Sequence, residues 1–200
     1  MNPLHVALLA VALLPMPALA GHGLLNSFSS LEWLPAPDRT PDQWHYGLDT
    51  LRENLQLITA DGPSAQFALC LVYLREKLAE AEAMVSKNDR AAATIAGLRY
   101  REYFGRALAL TEQATGTQAT SLRAGLALAL LEHRYMLSVD YADLPAASRA
   151  VIANLITDAG TQYERLRAKL PQAVTATLFF KEEEVRWSWE MAQRAAEQGM

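Results

Sequence analysis

The feature that most constrains the fold of this chain is a long apolar seam between residues 64 and 86. Its members recur at alternating spacings of four and three residues, which places them along one side of an α-helix. They are Phe67, Leu71, Leu74, Leu78, Ala81 and Val85. No stretch alternates apolar and polar residues for long enough to predict a β-strand. The sequence therefore predicts an all-α protein whose long helices pack side by side.

Turn and capping residues divide the chain beyond residue 40 into six predicted helices. The first is expected to begin at Thr40-Pro41-Asp42 and to end near Thr59, where Asp61-Gly62-Pro63 breaks it. Further breaks are predicted at Asn88-Asp89, Thr115-Gly116-Thr117, Asp143-Leu144-Pro145 and Pro171. Short turns between long helices favour antiparallel neighbours. We therefore expect residues 41–200 to form one domain, an extended antiparallel bundle of about six long helices.

The first twenty residues have the pattern of a secretory signal peptide. An apolar run from Val6 to Leu14 is followed by prolines and by the small residues of Ala18-Leu19-Ala20. The run is too short for a stable membrane anchor, and no cysteine follows Ala20 to accept a lipid. We expect cleavage after Ala20, a mature chain that begins at Gly21, and a periplasmic or secreted protein.

Residues 21–40 are predicted to form an irregular N-terminal arm, because Pro35 and Pro37 interrupt any regular element there. Four apolar side chains are expected to tether the arm to the bundle: Phe28, Leu31, Trp33 and Leu34. Large aromatic residues are expected to fill the wider layers of the bundle, where alanine would leave voids. These are Trp44, Tyr46, Tyr73, Tyr100 and Tyr103.

The sixth predicted helix carries apolar side chains on two opposite sides. One side holds Val174, Leu178, Val185, Trp189 and Ala192, and the other holds Phe180, Trp187 and Met191. The first side must pack on the bundle. We favour a second side that another helix or the arm covers, and the alternative is a side left open for a partner. Phe180, Trp187 and Met191 are thus the candidate partner-binding residues, for an envelope protein or a second copy of the chain.

No residue pattern in the chain specifies a reaction. The sequence lacks a Gly-x-Ser-x-Gly elbow, a phosphate-binding glycine loop and any pair of histidines three or four residues apart. We therefore predict no enzymatic activity and no cofactor. The net charge of -4 and the scattered basic residues argue against nucleic acid as a partner.

A few polar residues are individual candidates for sites. After cleavage, the Gly21 amine and the His22 imidazole could chelate Cu(II), which makes His22 a candidate metal ligand. Glu76 and Glu80 could line a polar groove, but nearby basic residues make surface ion pairs the simpler expectation. Cys70 and His133 are expected to be buried structural residues.

Three strings of the sequence resemble a bacterial cell-envelope helical domain family that is known only as a domain of unknown function. They are LDTLRENLQL from Leu48, REKLAEAEAMVSKND from Arg75 and LLEHRYMLSVDYADLPAASRAVIANLI from Leu130. The resemblance covers about residues 34–170 and departs from the family at Trp44-His45-Tyr46-Gly47, where a more basic lead-in is usual. It implies a helical envelope module and transfers no catalytic residue.

Three functions remain open at this point. A non-catalytic envelope protein that binds another protein through a helix face is the preferred hypothesis. A small-ligand or copper carrier is the alternative. An enzyme would need a polar pocket with a shifted ionisable group inside the bundle.

Overall fold

The computed structural model describes Phe28 and residues 31–198. In this part, the chain forms six α-helices and no β-strand, with one 3-10 turn at Tyr141–Asp143. The helices are α1 (Tyr46–Thr59), α2 (Gly62–Ser86), α3 (Arg90–Gln113), α4 (Gly116–Val139), α5 (Ala146–Arg167) and α6 (Gln172–Gln198). The predicted all-α bundle of six helices is confirmed.

The helices pack around one apolar core. The α2–α3 pair makes the most extensive contact, and α4 lies between α5 and α6 while also contacting α3. Alanine and leucine dominate the core, and the largest fully buried aliphatic side chains come from α2, α4 and α5: Leu74, Leu78, Met84, Leu126, Leu130, Leu131, Met136, Ile152 and Leu155. The predicted seam of α2 faces this core. Among the described helices, none is both long and apolar enough to cross a lipid bilayer.

Local turn chemistry explains where α3 begins. Asn88 adopts a left-handed conformation with φ 59°, which asparagine tolerates better than most residues. The Asp89 side chain then accepts a hydrogen bond from the Ala92 amide at 3.0 Å and caps the helix. The predicted turn and cap at Asn88-Asp89 are therefore correct.

The first helix begins later than predicted. Thr40 does not cap it, because the Thr40 hydroxyl donates to the carboxylate of Asp42, which also pairs with Lys87 at 3.2 Å. Residues 41–45 instead form successive turns, with Gln43 N bonded to Thr40 O at 2.9 Å and Tyr46 N to Gln43 O at 3.1 Å. The α-helix begins at Tyr46, where these turns end.

The arm is fastened to the bundle by Phe28, which is buried. Its ring stacks on Tyr135 with centroids 4.3 Å apart and an interplanar angle of 14°, and the Lys181 ammonium lies 4.2 Å from the ring centroid. Leu31 and Leu34 pack against the core beside it. The predicted tether is confirmed for these three apolar residues.

The fourth predicted tether residue behaves differently. The Trp33 side chain is exposed, and only its backbone carbonyl is held, at 3.0 Å from the Arg75 guanidinium. The same guanidinium bonds to the carbonyl and the carboxylate of Glu32. At this point, the arm is attached through two backbone carbonyls and the Glu32 carboxylate, and the expectation that the Trp33 side chain tethers it is wrong.

Candidate functional site

The predicted partner-binding residues of α6 lie on its open side. Phe180, Trp187 and Met191 are between 42% and 71% exposed. The opposite side packs on the bundle through Leu178 and Val185, which are buried as predicted. The favoured expectation of a covered second side is therefore wrong. The second side is open because α6 is an outermost helix of the bundle. It packs mainly on α4 and the 3-10 turn, and no other described helix covers its outer side.

Trp187 and Met191 share an apolar groove with α4. The groove has a volume of about 360 Å³, and its α4 wall includes Tyr135, Ser138 and Val139. Ser138 and Ser188 are hydrogen-bonded to each other between the two helices, with their hydroxyl oxygens 2.6 Å apart. The full lining is Tyr135, Ser138, Val139, Ala142, Glu184, Trp187, Ser188, Met191, Ala192 and Ala195.

Phe180 is outside this groove. Its ring lies edge-to-face with Phe179, with centroids 5.6 Å apart, and both rings are exposed. The structure thus brings two of the three predicted residues together. Phe180 lies about two turns nearer the start of the same helix, as part of a separate aromatic pair with Phe179.

A second apolar surface lies on α1 and on the turn just before it, and no sequence prediction singled it out. Five apolar side chains follow one another at spacings of four, three, four and three residues, and all are between 53% and 91% exposed: Trp44, Leu48, Leu51, Leu55 and Ile58. We call these five residues the α1 stripe. Trp44, which was expected inside the bundle, is the most exposed of them, so that expectation is wrong.

The opposite side of α1 is polar and faces inward. Tyr46, Asp49, Thr50 and Glu53 are all buried, together with Leu57. An ordinary surface helix buries its apolar side and exposes its polar side. The first helix does the reverse over most of its length, which requires polar partners inside the bundle.

Those partners form a buried ionic cluster centred on Lys77. The Lys77 ammonium lies 2.6 Å from Glu53 Oε1 and 2.7 Å from Glu80 Oε1, and the three side chains are almost completely buried. The Tyr46 hydroxyl donates to Glu80 Oε2 at 2.7 Å, and the Tyr103 hydroxyl donates to Glu53 Oε2. Two carboxylates, one ammonium and two phenols thus join α1, α2 and α3.

The electrostatics of the cluster follow from burial and pairing. Burial alone would lower the pKa of Lys77, but its bonds to Glu53 and Glu80 outweigh burial and raise that pKa. Burial raises the pKa of Glu80, despite its bonds to Lys77 and Tyr46. Burial and the bond to Glu80 also raise the pKa of Tyr46, so the phenol stays protonated. The ammonium is therefore the charge that the surroundings stabilise.

A small polar cavity of about 230 Å³ lies beside this cluster, beneath the proline-containing part of the arm. Its lining comprises Pro35, Ala36, Pro37, Asp38, Arg39, Asp49, Arg52, Glu76 and Glu80. Asp49 is bound by both arginines, at 3.3 Å from Arg39 and 3.0 Å from Arg52. Burial, followed by repulsion from Glu53, raises the pKa of Glu76.

These findings correct the expectation for Glu76 and Glu80. Glu80 belongs to a buried cluster and not to a surface ion pair, and both glutamates line a polar cavity. The alternative of a polar groove is closer to the structure. Lys77 was among the basic residues expected to pair with these glutamates at the surface, and it does pair with Glu80, but inside the bundle. Its burial and the part played by Glu53 were missed, because a charged residue in a helix normally indicates its solvent-exposed side.

The remaining residues weighed as sites are structural where they are described. Cys70 is buried, and burial raises the pKa of its thiol to about 11, so it is a poor nucleophile. His133 is also buried, with Nδ1 at 3.0 Å from the Tyr100 hydroxyl, and burial lowers its pKa to about 3. No group of His, Cys, Asp and Glu within the described residues could hold a metal ion. His22 lies outside that part of the chain.

Comparison with known proteins identifies a family but no function. Residues 38–186 match the family described as Domain of unknown function (DUF5667). The matched region contains the α1 stripe and the ionic cluster, and it ends within α6, before Trp187. No curated protein and no solved structure matches the chain significantly. The expected helical domain of unknown function is thus confirmed at that level, and the chain belongs to the DUF5667 family.

Proposed function

We propose that this protein is a non-catalytic, protein-binding adaptor of the cell envelope, and that its binding surface is the outer side of α6. The observation that carries the proposal is the exposure of Phe180, Trp187 and Met191 on a helix whose other side is packed. Exposed aromatic and methionine side chains are enriched at protein interfaces. The envelope location rests on the predicted signal peptide.

The surroundings of the surface indicate the chemistry of the partner. The sixth helix carries five glutamates against three basic residues. Two of the basic residues are already engaged along the helix, Arg186 with Glu183 and Arg194 with Glu190. A partner that places apolar side chains in the groove and basic side chains at its rim would complement both features.

In-cell photo-crosslinking tests this proposal. A photoreactive residue is placed in turn at Phe180, Trp187 and Met191 of the full chain, and at exposed Glu164 of α5 as a control. We expect a discrete adduct with a different protein from at least one α6 position and none from the control. Absence of any α6 adduct, or an adduct only with a second copy of the chain, would overturn the adaptor function.

A substitution separates binding from folding. Trp187→Glu should abolish the adduct formed from a neighbouring α6 position and leave the melting temperature unchanged, because the indole is mostly exposed. The matched control is Val185→Glu, which places a carboxylate in the core and should unfold the protein. A lowered melting temperature in Trp187→Glu would show that the indole is part of the packing.

A further inference from the structure

We infer that the α1 stripe is a homodimer interface, in which α1 of one copy packs against α1 of a second copy. The inference rests on α1 alone and is independent of the proposed role of α6. Its starting point is that four leucine or isoleucine side chains of α1 follow heptad spacing, and that the Trp44 indole adjoins them from the turn before the helix, on a surface that no described residue covers.

The outward direction of the stripe is set by specific bonds and is not a loose placement of the helix. Glu53 is held by Lys77 and by the Tyr103 hydroxyl, and Tyr46 is held by Glu80. Arg106 of α3 also donates to the Asn54 side chain at 2.7 Å. Rotating α1 to bury the stripe would pull these groups away from their partners and leave Lys77 buried beside fewer carboxylates.

Burying the charged groups on the inward side of α1 is costly. Pairing of two copies would bury the apolar side chains on the outward side, and the free energy gained would offset part of that cost. In a heptad seam, each apolar side chain inserts between side chains of a facing helix. An identical helix presents the same seam, so a two-fold axis through the stripe makes the surface self-complementary.

The exposed area matches what such a dimer needs. The five side chains expose roughly 600 Å² per copy, so two copies would bury about 1,200 Å², the lower end of specific interfaces. The seam itself carries no charge. The nearest basic side chain on the helix, Arg52, is already paired with Asp49 at 3.0 Å.

A lipid surface is the less suitable occupant. Helices that lie on membranes carry lysines and arginines along the polar side, which contact anionic headgroups. Between Trp44 and Thr59 the only arginine is Arg52, and there is no lysine. The polar side of α1 is buried in the bundle, and the chain has a net charge of -4. A second copy of the chain therefore fits this surface better than a membrane does.

Pairing through α1 does not use α6. The first helix packs on α2, whereas the sixth packs mainly on α4. If the adaptor proposal holds, a dimer would present two α6 surfaces and would bind a repeated or clustered partner with increased avidity.

The experiment is a mass measurement in solution on the full chain as the cell processes it. Light scattering after size exclusion should give twice the mass of one chain. Leu51→Glu and Leu55→Glu should each give a monomer whose helical circular dichroism and melting temperature, measured at a concentration where the parent is also monomeric, are unchanged. The matched control is Leu98→Glu on α3, since Leu98 is 56% exposed against 57% for Leu51 but lies outside the stripe. This control should remain a dimer.

A second measurement covers variants that fold poorly. Cys70 is the only native cysteine and is buried, so a cysteine introduced at Leu55 is the one accessible thiol. A short bis-maleimide should join two Leu55→Cys chains and leave Leu98→Cys chains separate. A parent chain that is monomeric at all concentrations, or a dimer that persists in Leu51→Glu, would overturn the inference. So would equal cross-linking from Leu55 and Leu98.

Discussion

Glu53 is completely buried, whereas Leu51, two positions earlier in α1, is 57% exposed. The difference follows from what each residue meets. Glu53 meets the ammonium of Lys77, and Leu51 meets no described side chain that covers it. The orientation of this helix is therefore set largely by a charge inside the bundle, since Leu57 is the only one of its leucines and isoleucines that is buried.

Replacing Lys77 by methionine should strongly destabilise the fold. The substitution keeps an unbranched side chain of nearly the same length but leaves the carboxylates of Glu53 and Glu80 buried without their cation. We expect the free energy of unfolding in urea to fall by about 3–5 kcal/mol. Lys87→Met is the control, because Lys87 pairs with Asp42 at the surface and its loss should cost less than about 1 kcal/mol. Similar losses in the two variants would contradict a dominant role for the buried cluster.

Stability should depend on pH through Glu82. Burial, followed by the charge of Asp140 and a hydrogen bond to it, raises the pKa of Glu82 to about 7 from an ordinary value of 4.5. The folded state therefore binds this proton more tightly than the unfolded state does. The stabilisation is complete below pH 4.5 and is lost as the pH rises to about 7.

The measurement is the difference in free energy of unfolding between the parent chain and Glu82→Gln across that pH range. This difference isolates Glu82 from other groups, including His133, whose lowered pKa acts with the opposite sign. We expect the advantage of the parent chain to shrink as the pH rises. Asp140→Asn should reduce the change of this difference with pH but not abolish it, because burial still raises the pKa of Glu82. A difference in free energy of unfolding that stays constant with pH would contradict a raised pKa for Glu82.

Phe28→Ala should release the arm. The substitution removes the ring between Tyr135 and Lys181, and we expect a loss of roughly 3 kcal/mol together with faster proteolysis within residues 31–40. Trp33→Ala serves as the control. Its exposed side chain is lost while the backbone carbonyl still accepts from Arg75, so the cleavage rate should stay near that of the parent chain.

Two glycine substitutions should change the free energy of unfolding in opposite directions. Gly105 is exposed within α3, and an added Cβ would meet nothing within 4 Å, so Gly105→Ala should raise the free energy of unfolding by about 0.5–1 kcal/mol. Gly62 has φ +82°, where a Cβ is strained, so Gly62→Ala should lower it by about 1 kcal/mol. Thermal melts of both variants check the pair.

Most of the secondary structure could be predicted from the sequence, because proline, glycine and capping residues separate the helices. Local chemistry decides such boundaries, as Asp89 at the start of α3 shows. The start of α1 could not be predicted in the same way. Thr40 has the right chemistry for a cap, but its hydroxyl is engaged by Asp42, which in turn contacts Lys87 from the end of α2.

The candidate surfaces were less predictable, because periodicity does not distinguish a core seam from an exposed seam. The α1 stripe has the same spacing as the buried seam of α2, and only the position of Lys77 in the folded bundle explains why it faces outward. For α6, the residues of the open side were predicted correctly. Whether that side is covered depends on the order of the helices around α4, which short turns alone do not determine.

The anchoring of α1 through Lys77 also bears on the order of folding. A turn of three residues joins α2 to α3, so this hairpin can form from local contacts. The anchor needs Lys77 of α2 and Tyr103 of α3 to be in place before Glu53 can exchange water for them. Docking of α1 is therefore expected to be a late step, after the main barrier, so that weakening the anchor would speed unfolding and leave the refolding rate nearly unchanged.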